Sequence, residues 1–403
     1  MSFRYIAGLL GKAPTVVGPV GGEGGSAPGI WSTASQANLQ ALGTWPKPIL
    51  PKYLWSWGRN NNGQLGLGNT TGYSSPKQVG NLTNWLVISA GDVFAASIKT
   101  DGTFWSWGSN YSGALGLGNV TYYSSPKQVG ALTTWSTVRA NYGSLLAIQT
   151  NGTLWTWGAG LAGQLGLGNT TYYSSPKQIG ALTTWSKITG GRSVAMALKT
   201  DGTLWTWGDN AYGQLGLGTS GAANYKSSPN QVGALTTWAT ISMGRTFSAA
   251  IKTDGSLWMW GNNAAGYLGL GNITNYSSPK QVGALYNWSK ISSGVHHTLA
   301  IKTDGTLWAW GSGSGGRLGQ NNTTDYSSPK QVGLLTTWLN ITAGYSSSVA
   351  VKTDGTLWTW GISDFGQLGL GNITDYSSPK QVGALTAWKL VSIGQKNVLA
   401  VQN

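Results

Sequence analysis

The chain has 403 residues, of which only 9% are charged, and it contains 62 glycines, 23 tryptophans and no cysteine. The missing cysteine excludes disulfides and cysteine metal sites, and no apolar stretch is long enough for us to expect membrane insertion. The 25 Lys and Arg against 11 Asp and Glu give a net charge of +14 without basic runs, which favours anionic surfaces over nucleic acid as partners.

The first 50 residues are unlike the rest of the chain and are predicted to form an N-terminal arm. Residues 16–29 are rich in glycine and contain too few apolar side chains to fold alone, so we expect them to be flexible. A short helix over about 32–42 is expected to follow, with a serine as N-cap and a glycine as its stop. A helix this short has no core of its own, so we expect it to dock on the propeller or on a partner. The predicted anchor residues are Trp31, Leu39, Leu42 and Trp45.

After the arm, the sequence repeats a unit of about 50 residues. Each unit is marked by Trp-x-Trp-Gly, which begins at Trp55, Trp105, Trp155, Trp205, Trp258, Trp308 and Trp358. A third tryptophan follows each pair at a fixed place, at Trp85, Trp135, Trp185, Trp238, Trp288, Trp338 and Trp388. Seven copies of one unit predict an array of seven structural modules that bury their apolar faces against each other.

Each unit is predicted to contain four short strands. GTLWTWG alternates large and small side chains as a strand does, and SSPKQVG, TTWSKITGG and a run of small apolar residues follow it. Asp-Gly or Asn-Gly then leads into the next unit, as expected for a tight hairpin. This pattern predicts an all-β, seven-bladed β-propeller of four-stranded blades. The small apolar runs (AASI, AMAL, SAAI and TLAI) are expected to be the innermost strands, and the tryptophans to fill the space between blades.

The two ends of the repeat predict how the ring closes. In the seventh unit the sequence reaches Asn403, one residue before the position that the Asp of the Asx-Gly turn occupies in other units. The strand that follows this turn in the other units is supplied here by YLWSWG, after Lys52. We therefore expect the N-terminal and C-terminal strands to pair and to leave no open edge at the join. The residues predicted to close the ring are Tyr53, Leu54, Trp55, Val398, Leu399 and Val401. The propeller would then span residues 51–403, after an arm of residues 1–50.

Three glycine-rich stretches, GSNYSGALGLGN, GDNAYGQLGLG and ISDFGQLGLGN, carry a family resemblance. They resemble the Gly-x-Asn-x-x-Gly-Gln-Leu-Gly signature of the regulator of chromosome condensation repeat family, and residues 292–311 match the rest of that repeat. The resemblance covers residues 53–403 and implies a seven-bladed propeller. Known members include an exchange factor for a small GTPase and a plant ultraviolet-B receptor. Neither activity is expected, because the loops look nearly identical between copies and the receptor's Gly-Trp-Arg-His-Thr motif is absent.

No group of residues in the sequence indicates catalysis. The two histidines, His296 and His297, are adjacent, and other side chains take the place of His297 in the other copies, so we expect a structural hydrogen bond. Five of the aspartates belong to hairpin turns, and neither paired carboxylates nor a Ser/His/Asp set can be recognised. We therefore expect no catalytic residue, no metal site, no cofactor and no enzymatic activity.

A lysine recurs in the Ser-Ser-Pro-Lys-Gln segment of six copies, at Lys77, Lys127, Lys177, Lys280, Lys330 and Lys380. Seven-fold geometry would arrange these lysines as a ring that contacts an anionic surface or a glycan through many weak sites. The alternative is a solvated blade edge that lysine protects from aggregation. Tyrosines beside the lysines could stack on sugar rings or pack on the next blade, which leaves glycan binding open.

The predicted function is a non-enzymatic structural protein of a bacteriophage virion. Residues 29–46 are similar to N-terminal segments of bacteriophage structural proteins. The similarity consists of Gly-x-Trp-Ser, a predicted short helix and Gly-Thr-Trp-Pro, in this order. The arm would bind other virion proteins at the tail or capsid surface, and the propeller would be displayed toward a protein or a host-surface polyanion or glycan. The alternatives are a soluble protein-interaction scaffold, either cytoplasmic or secreted, and a secreted glycan-binding adhesin.

Overall fold

The computed structural model describes residues 52–402, which form an all-β protein. Over these residues there are 28 strands, and the only helical segments in this range are two 3-10 turns of three residues, Ala222–Asn224 and Ser314–Gly316. The strands form seven antiparallel sheets of four strands each. This arrangement confirms the predicted seven-bladed propeller with four-stranded blades.

Each blade has an inner, a second, a third and an outer strand, counted from the axis outwards. The inner strands are β3 (Trp85–Ala90), β7 (Trp135–Ala140), β11 (Trp185–Gly190), β15 (Trp238–Met243), β19 (Trp288–Ser293), β23 (Trp338–Ala343) and β27 (Trp388–Ile393). The second strands are β4 (Phe94–Lys99), β8 (Ser144–Gln149), β12 (Val194–Lys199), β16 (Phe247–Lys252), β20 (His297–Lys302), β24 (Ser347–Lys352) and β28 (Asn397–Gln402). The third strands are β1 (Tyr53–Gly58), β5 (Phe104–Gly108), β9 (Leu154–Gly158), β13 (Leu204–Gly208), β17 (Leu257–Gly261), β21 (Leu307–Gly311) and β25 (Leu357–Gly361). The outer strands are β2 (Tyr73–Gln78), β6 (Tyr123–Gln128), β10 (Tyr173–Gln178), β14 (Lys226–Gln231), β18 (Tyr276–Gln281), β22 (Tyr326–Gln331) and β26 (Tyr376–Gln381).

The blades follow the chain order except at the join. Blade 1 consists of β3 to β6, and blades 2 to 6 use the next strands in groups of four, up to β26. Blade 7 combines the last two strands of the chain with the first two, in the order β2, β1, β28, β27.

The innermost strand is not the one that the sequence predicted. The small apolar runs lie in second strands such as β12 and β16, whereas the inner strands begin at the third tryptophan of each unit and neighbour one another around the axis. The second strands are paired along both edges and buried between neighbouring blades. Their small side chains leave room for indole rings; for example, Ala197 shares a buried cluster with Trp207. Packing against tryptophan, rather than the taper at the axis, therefore explains the small residues.

The second tryptophan of every Trp-x-Trp pair ties its blade to the preceding one. Trp107 of blade 1 is fully buried in a cluster with residues of blade 7, and its Nε1 donates a 3.0 Å hydrogen bond to the carbonyl oxygen of Gln64. An equivalent bond is made by Trp57, Trp157, Trp207, Trp260, Trp310 and Trp360. The third tryptophan meets the pair edge-on, as Trp85 meets Trp107 with ring centroids 6.2 Å apart. The prediction that tryptophans fill the space between blades is confirmed.

Strands β1 and β28 close the ring within blade 7, as the sequence predicted. The two strands pair antiparallel, with Leu54 opposite Val401 and Trp55 opposite Ala400. The other pairs are Tyr53 with Gln402, Ser56 with Leu399, Trp57 with Val398 and Gly58 with Asn397. Because both ends of the repeat enter one sheet, the join has the same backbone pairing as an unbroken blade.

The hairpin between the second and third strands is built by an Asx-Gly turn. In blade 3, Asp201 Oδ1 accepts hydrogen bonds from Thr203 N at 2.9 Å and from Thr203 Oγ1 at 2.7 Å. Thr203 Oγ1 in turn accepts a 2.9 Å bond from Trp205 Nε1. Gly202 adopts a φ of +78°, which a glycine reaches without strain. In blade 7 the hairpin is split, and Trp55 Nε1 is buried with no hydrogen-bond partner within residues 52–402.

Candidate functional site

The connections between strands place different loops on the two faces of the propeller. The loops after the inner and third strands meet on one face, where Ser109 N donates to Val93 O at 2.9 Å. The Asx-Gly turns and the connections between blades meet on the opposite face, where Trp135 N donates to Gly102 O at 3.2 Å. We call the first the mouth face, because an axial cavity opens there.

The loop after each inner strand differs from blade to blade. Its variable position, here called the mouth residue, is occupied by Asp92, Tyr142, Arg192, Arg245, Val295, Tyr345 and Gln395. On the opposite face, by contrast, all seven connections between blades contain Gly-x-Leu. The expectation that the loops are nearly identical is therefore wrong for the mouth face. Comparing this one position across the seven copies is the signal that would have identified it.

The seven inner strands enclose an axial cavity of about 370 Å³. The ends of these strands and the mouth residues form its wall. Arg139 of blade 2 lines the cavity, and the surrounding protein lowers the pKa of its guanidinium from the ordinary value. The group still carries its charge at neutral pH, because a guanidinium is not deprotonated in proteins. The cavity wall therefore has a positive charge below the mouth.

Three residues from different blades bridge one side of the mouth. Gln395 of blade 7 donates from Nε2 to Tyr142 Oη of blade 2 at 2.6 Å. Arg192 of blade 3 lies over the same tyrosine ring, with Cζ 5.2 Å from its centroid. The hydrogen bond and the cation–π contact hold these side chains in place without a bound partner. The mouth is thus a preorganised surface on this side.

Asp92 is the only carboxylate among the seven mouth residues. Its Oδ1 is buried and has no hydrogen-bond partner among the described residues. Burial raises the pKa of Asp92 to about 6, against the opposing effect of the positive charges on Arg59, Arg192 and Lys396. At neutral pH most of the carboxylate is ionised although the site disfavours its charge.

An aromatic cluster forms another part of the mouth face. His296 Nδ1 lies 3.1 Å from Tyr267 Oη, and the His296 ring lies 5.9 Å from the ring of Tyr345. Burial, together with the charges of Arg317 and Arg245, lowers the pKa of His296 to about 4. His296 is therefore neutral at pH 7 and contributes an aromatic, uncharged surface.

His297 makes the structural hydrogen bond that the sequence predicted. It is fully buried in blade 5, with Nε2 2.9 Å from Ser348 Oγ of blade 6. Ser348 Oγ donates its own proton to Arg317 O at 2.8 Å, so it accepts the proton of His297 Nε2. Burial keeps the pKa of His297 well below its usual value. The neutral imidazole thus links two blades.

The six predicted lysines lie away from the mouth, on the outer strands of every blade except blade 3. Each is exposed and lies over a tyrosine of its own strand; Lys77 Nζ is 5.4 Å from the centre of the Tyr73 ring. The equivalent pairs belong to Lys127, Lys177, Lys280, Lys330 and Lys380. Tyr73 Oη also accepts a bond from Asn69 at 3.3 Å. The tyrosines therefore order the outer strand, and an anion-binding ring of lysines stays a prediction.

The four predicted anchor residues, Trp31, Leu39, Leu42 and Trp45, lie outside the described residues. Within residues 52–402, no group of three or more His, Cys, Asp or Glu could hold a metal ion. No helix in the same range is long and apolar enough to cross a membrane. The described part of the chain contains a single ion pair, between Lys396 Nζ and Asp364 Oδ2 at 2.7 Å.

The fold and the mouth face together define a class of protein, a closed β-propeller that presents different side chains around one end of its axis. Residues 181–403 match the family described as RCC1-like domain. Residues 53–98, 101–145 and 151–198 match the Regulator of chromosome condensation (RCC1) repeat. The chain belongs to this family, and the resemblance seen in its sequence is confirmed.

Solved structures of the same architecture include three propellers. Prp20p from Saccharomyces cerevisiae is 20% identical with a TM-score of 0.78, over 88% of this chain and 92% of its own. Human WBSCR16 is 21% identical with a TM-score of 0.78, over 87% and 99%. Yeast RCC1 (Prp20) with Kap60 bound is 20% identical with a TM-score of 0.78, over 95% and 96%. A comparison with curated proteins gives no match. At these identities the likeness concerns the fold.

Proposed function

We propose that this protein is a non-enzymatic protein-interaction scaffold that binds its partner with the mouth face. One observation carries the proposal: seven nearly identical blades differ at the mouth residue, while the opposite face repeats Gly-x-Leu. The mouth residues combine two arginines, two tyrosines, an aspartate, a glutamine and a valine. Tyrosine and arginine are the side chains that contribute most to protein interfaces.

The similar propellers support this function by analogy. Prp20p is a protein with binding properties to Gsp1p and histones, and yeast RCC1 (Prp20) has been solved with Kap60 bound. Each of these partners is itself a macromolecule, which suits a broad face better than an enclosed catalytic pocket. Because one fold hosts many functions, the particular partner of this chain has to follow from its own mouth residues.

A charge reversal at the mouth tests the proposal. The purified full-length chain and two variants, Arg245→Glu at the mouth and Lys280→Glu on an outer strand, are immobilised in contact with a lysate of the source cells. A partner of the mouth face is expected to bind the natural chain and the Lys280 variant equally. Its recovery with the Arg245 variant is expected to fall about tenfold or more, as for an interface arginine.

The outcome separates the mouth from the rest of the surface. Equal loss with both variants would show that net charge, and not the mouth, governs binding. A partner retained by both variants would place the interface elsewhere and would contradict the proposal. Thermal unfolding of the three proteins serves as the control that both variants are folded.

The virion role predicted for this protein stays a prediction. It depended on residues 1–50, which lie outside the part of the chain that the structure describes. Glycan binding by the outer lysines, and a cytoplasmic, secreted or virion location, also stay predictions. A scaffold that binds through the mouth face is compatible with each of these locations.

A further inference from the structure

The inner strand of blade 2 departs from the repeat inside the axial cavity. Six blades have a hydroxyl at one cavity position: Ser89, Thr189, Ser242, Ser292, Thr342 and Ser392. Blade 2 has Arg139 there. In five of these six blades the hydroxyl bonds to the next blade, as when Ser89 Oγ accepts a 2.8 Å bond from Ala140 N. A guanidinium has no acceptor, so Arg139 gives up that connection to the next blade. Such a loss of a stabilising bond is typical of a functional position.

The positive charges along the cavity outnumber the negative ones. Arg139, Arg192 and Arg245 all line it, on three consecutive blades. None of the three forms an ion pair among residues 52–402. Asp92 is the one carboxylate among the described residues that line the cavity. The cavity therefore carries a net positive charge, which raises the local concentration of anions.

A buried amide beside Arg139 also lacks a partner. Asn141 stands where the other six blades have glycine, and it is 6% exposed. Its Oδ1 has no hydrogen-bond partner in the described part of the chain. The amide lies over Gly190 of blade 3, where a Cβ would collide with it. The unpaired atom is an acceptor, so it can bind a hydroxyl or an N–H group of a ligand, whereas the oxyanion itself has to be bound by the guanidinium.

We infer that the axial cavity is a binding site for an oxyanion, a carboxylate or a sulfate or phosphate group, held by Arg139 with Arg192 and Arg245 above it. Its volume of about 370 Å³ is in the range of small-ligand sites. The oxyanion could belong to a free small molecule or to an acidic side chain of the partner. The site does not depend on the proposed function; only the second source rests on it.

Titration calorimetry of the full-length chain tests the site with three probes at constant ionic strength: sulfate, citrate and a tetraglutamate peptide. The key variant is Arg139→Ser, which installs a residue that the repeat itself has at this position and is therefore compatible with the fold. Its matched control, Lys177→Asn, also removes one positive charge and copies Asn230 of blade 3.

The natural chain is expected to bind at least one probe saturably, with one site per chain. Arg139→Ser is expected to weaken that binding about tenfold or more, since a charged hydrogen bond is lost. Lys177→Asn should change it less than twofold, because this lysine lies on the outer circumference. Asp92→Asn should strengthen binding roughly two- to threefold by removing a repelling charge.

Two results would overturn the inference: no saturable binding of any probe, or equal weakening by Arg139→Ser and Lys177→Asn. If sulfate or citrate binds and the peptide does not, the ligand is a free small oxyanion. If the peptide binds more tightly and displaces sulfate, the oxyanion belongs to a partner protein. Sulfate binding that persists when no partner can be found would uphold the site and reject only the scaffold function.

Discussion

On the face opposite the mouth, blades 1 to 6 present nearly the same residues as one another. An Asx-Gly turn lies beside a Gly-x-Leu connection, and backbone hydrogen bonds such as Trp135 N to Gly102 O tie the two together. At the mouth, the blades share the backbone conformation but not the side chains. Asp92, Tyr142 and Arg192 occupy equivalent positions in consecutive blades.

This difference between the faces shows where the stability of the fold restricts the choice of residue. The restriction applies to the opposite face and not to the mouth. Turn residues on the opposite face contact the neighbouring blade through their backbone. The turn conformation and this close contact therefore restrict which residues fit there. Mouth residues extend from the rim, and Arg192 makes only a cation–π contact with Tyr142. Substitutions on the opposite face should therefore change the free energy of unfolding, whereas substitutions of exposed mouth residues such as Arg192 should change binding.

The largest effect is expected at a turn glycine. In Gly202→Ala, the new Cβ would collide with the carbonyl oxygen of Thr236 in the next connection, at a φ of +78°. The free energy of unfolding should fall by roughly 3 kcal/mol, from the left-handed conformation and the overlap together. Urea unfolding, followed by tryptophan fluorescence, measures this change.

Gly180→Ala is the matched control for that variant. Gly180 also lies on the opposite face and has a φ of +59°, but no atom lies within 4 Å of the point that an added Cβ would occupy. It should lose only about 1 kcal/mol, the cost of the left-handed conformation. Equal losses in the two variants would contradict the view that contact between blades fixes the turn.

A carboxylate on each face gives the second comparison. The folded-state pKa of Asp92 is raised to about 6 from 3.8, mainly by burial, so its ionisation opposes folding above that pH. Asp92→Asn should therefore raise the free energy of unfolding at pH 8 by about 1 to 2 kcal/mol, after allowance for the partial exposure of the group. The gain should fade as the pH falls through 6 toward 4, where the carboxyl is protonated.

Asp201 on the opposite face should show the reverse sign. Hydrogen bonds from Thr203 lower its pKa in the folded state, so it stabilises the fold above its unfolded pKa and loses that effect in acid. Asp201→Asn copies Asn151 of blade 2 and should be less stable than the natural chain at pH 7, with the difference vanishing at low pH. Urea unfolding compares the signs, for Asp92→Asn at pH 4 and pH 8 and for Asp201→Asn at pH 8 and well below pH 3.8, and a loss of stability in Asp92→Asn at pH 8 would contradict this account.

Most of the fold could be predicted from the sequence, because the residue pattern of each strand and turn recurs in the seven copies of the repeat. Trp-x-Trp-Gly, the Asx-Gly turns and the split hairpin at Lys52 were enough to predict blades and closure. The order of strands within a blade could not be obtained this way. The small residues of Ala195–Ala197 fit both a narrow axis and a wall of indoles, and only the packing of Trp207 decides between them.

The sequence did not predict the candidate site, because the repeat was defined by the residues that all seven copies share. The site consists of residues that differ between copies. Arg139 and Asn141 depart from the repeat within three residues, yet each looks like an isolated change until the ring places it beside the cavity. The contact between Gln395 and Tyr142 joins residues 253 positions apart, and no local pattern encodes it.

The smallest change in stability is expected at the mouth itself. Arg192 is exposed and forms no ion pair within residues 52–402, so Arg192→Ala removes one surface cation–π contact and should lower the free energy of unfolding by about 0.5 kcal/mol or less. The same urea titration measures it, with Tyr142→Phe as a companion that removes the bond from Gln395 but keeps the ring. A loss above about 1.5 kcal/mol would mean that the mouth residues are structural. Variation among the seven blades would then reflect packing, and the contrast between the faces would no longer indicate where a partner binds.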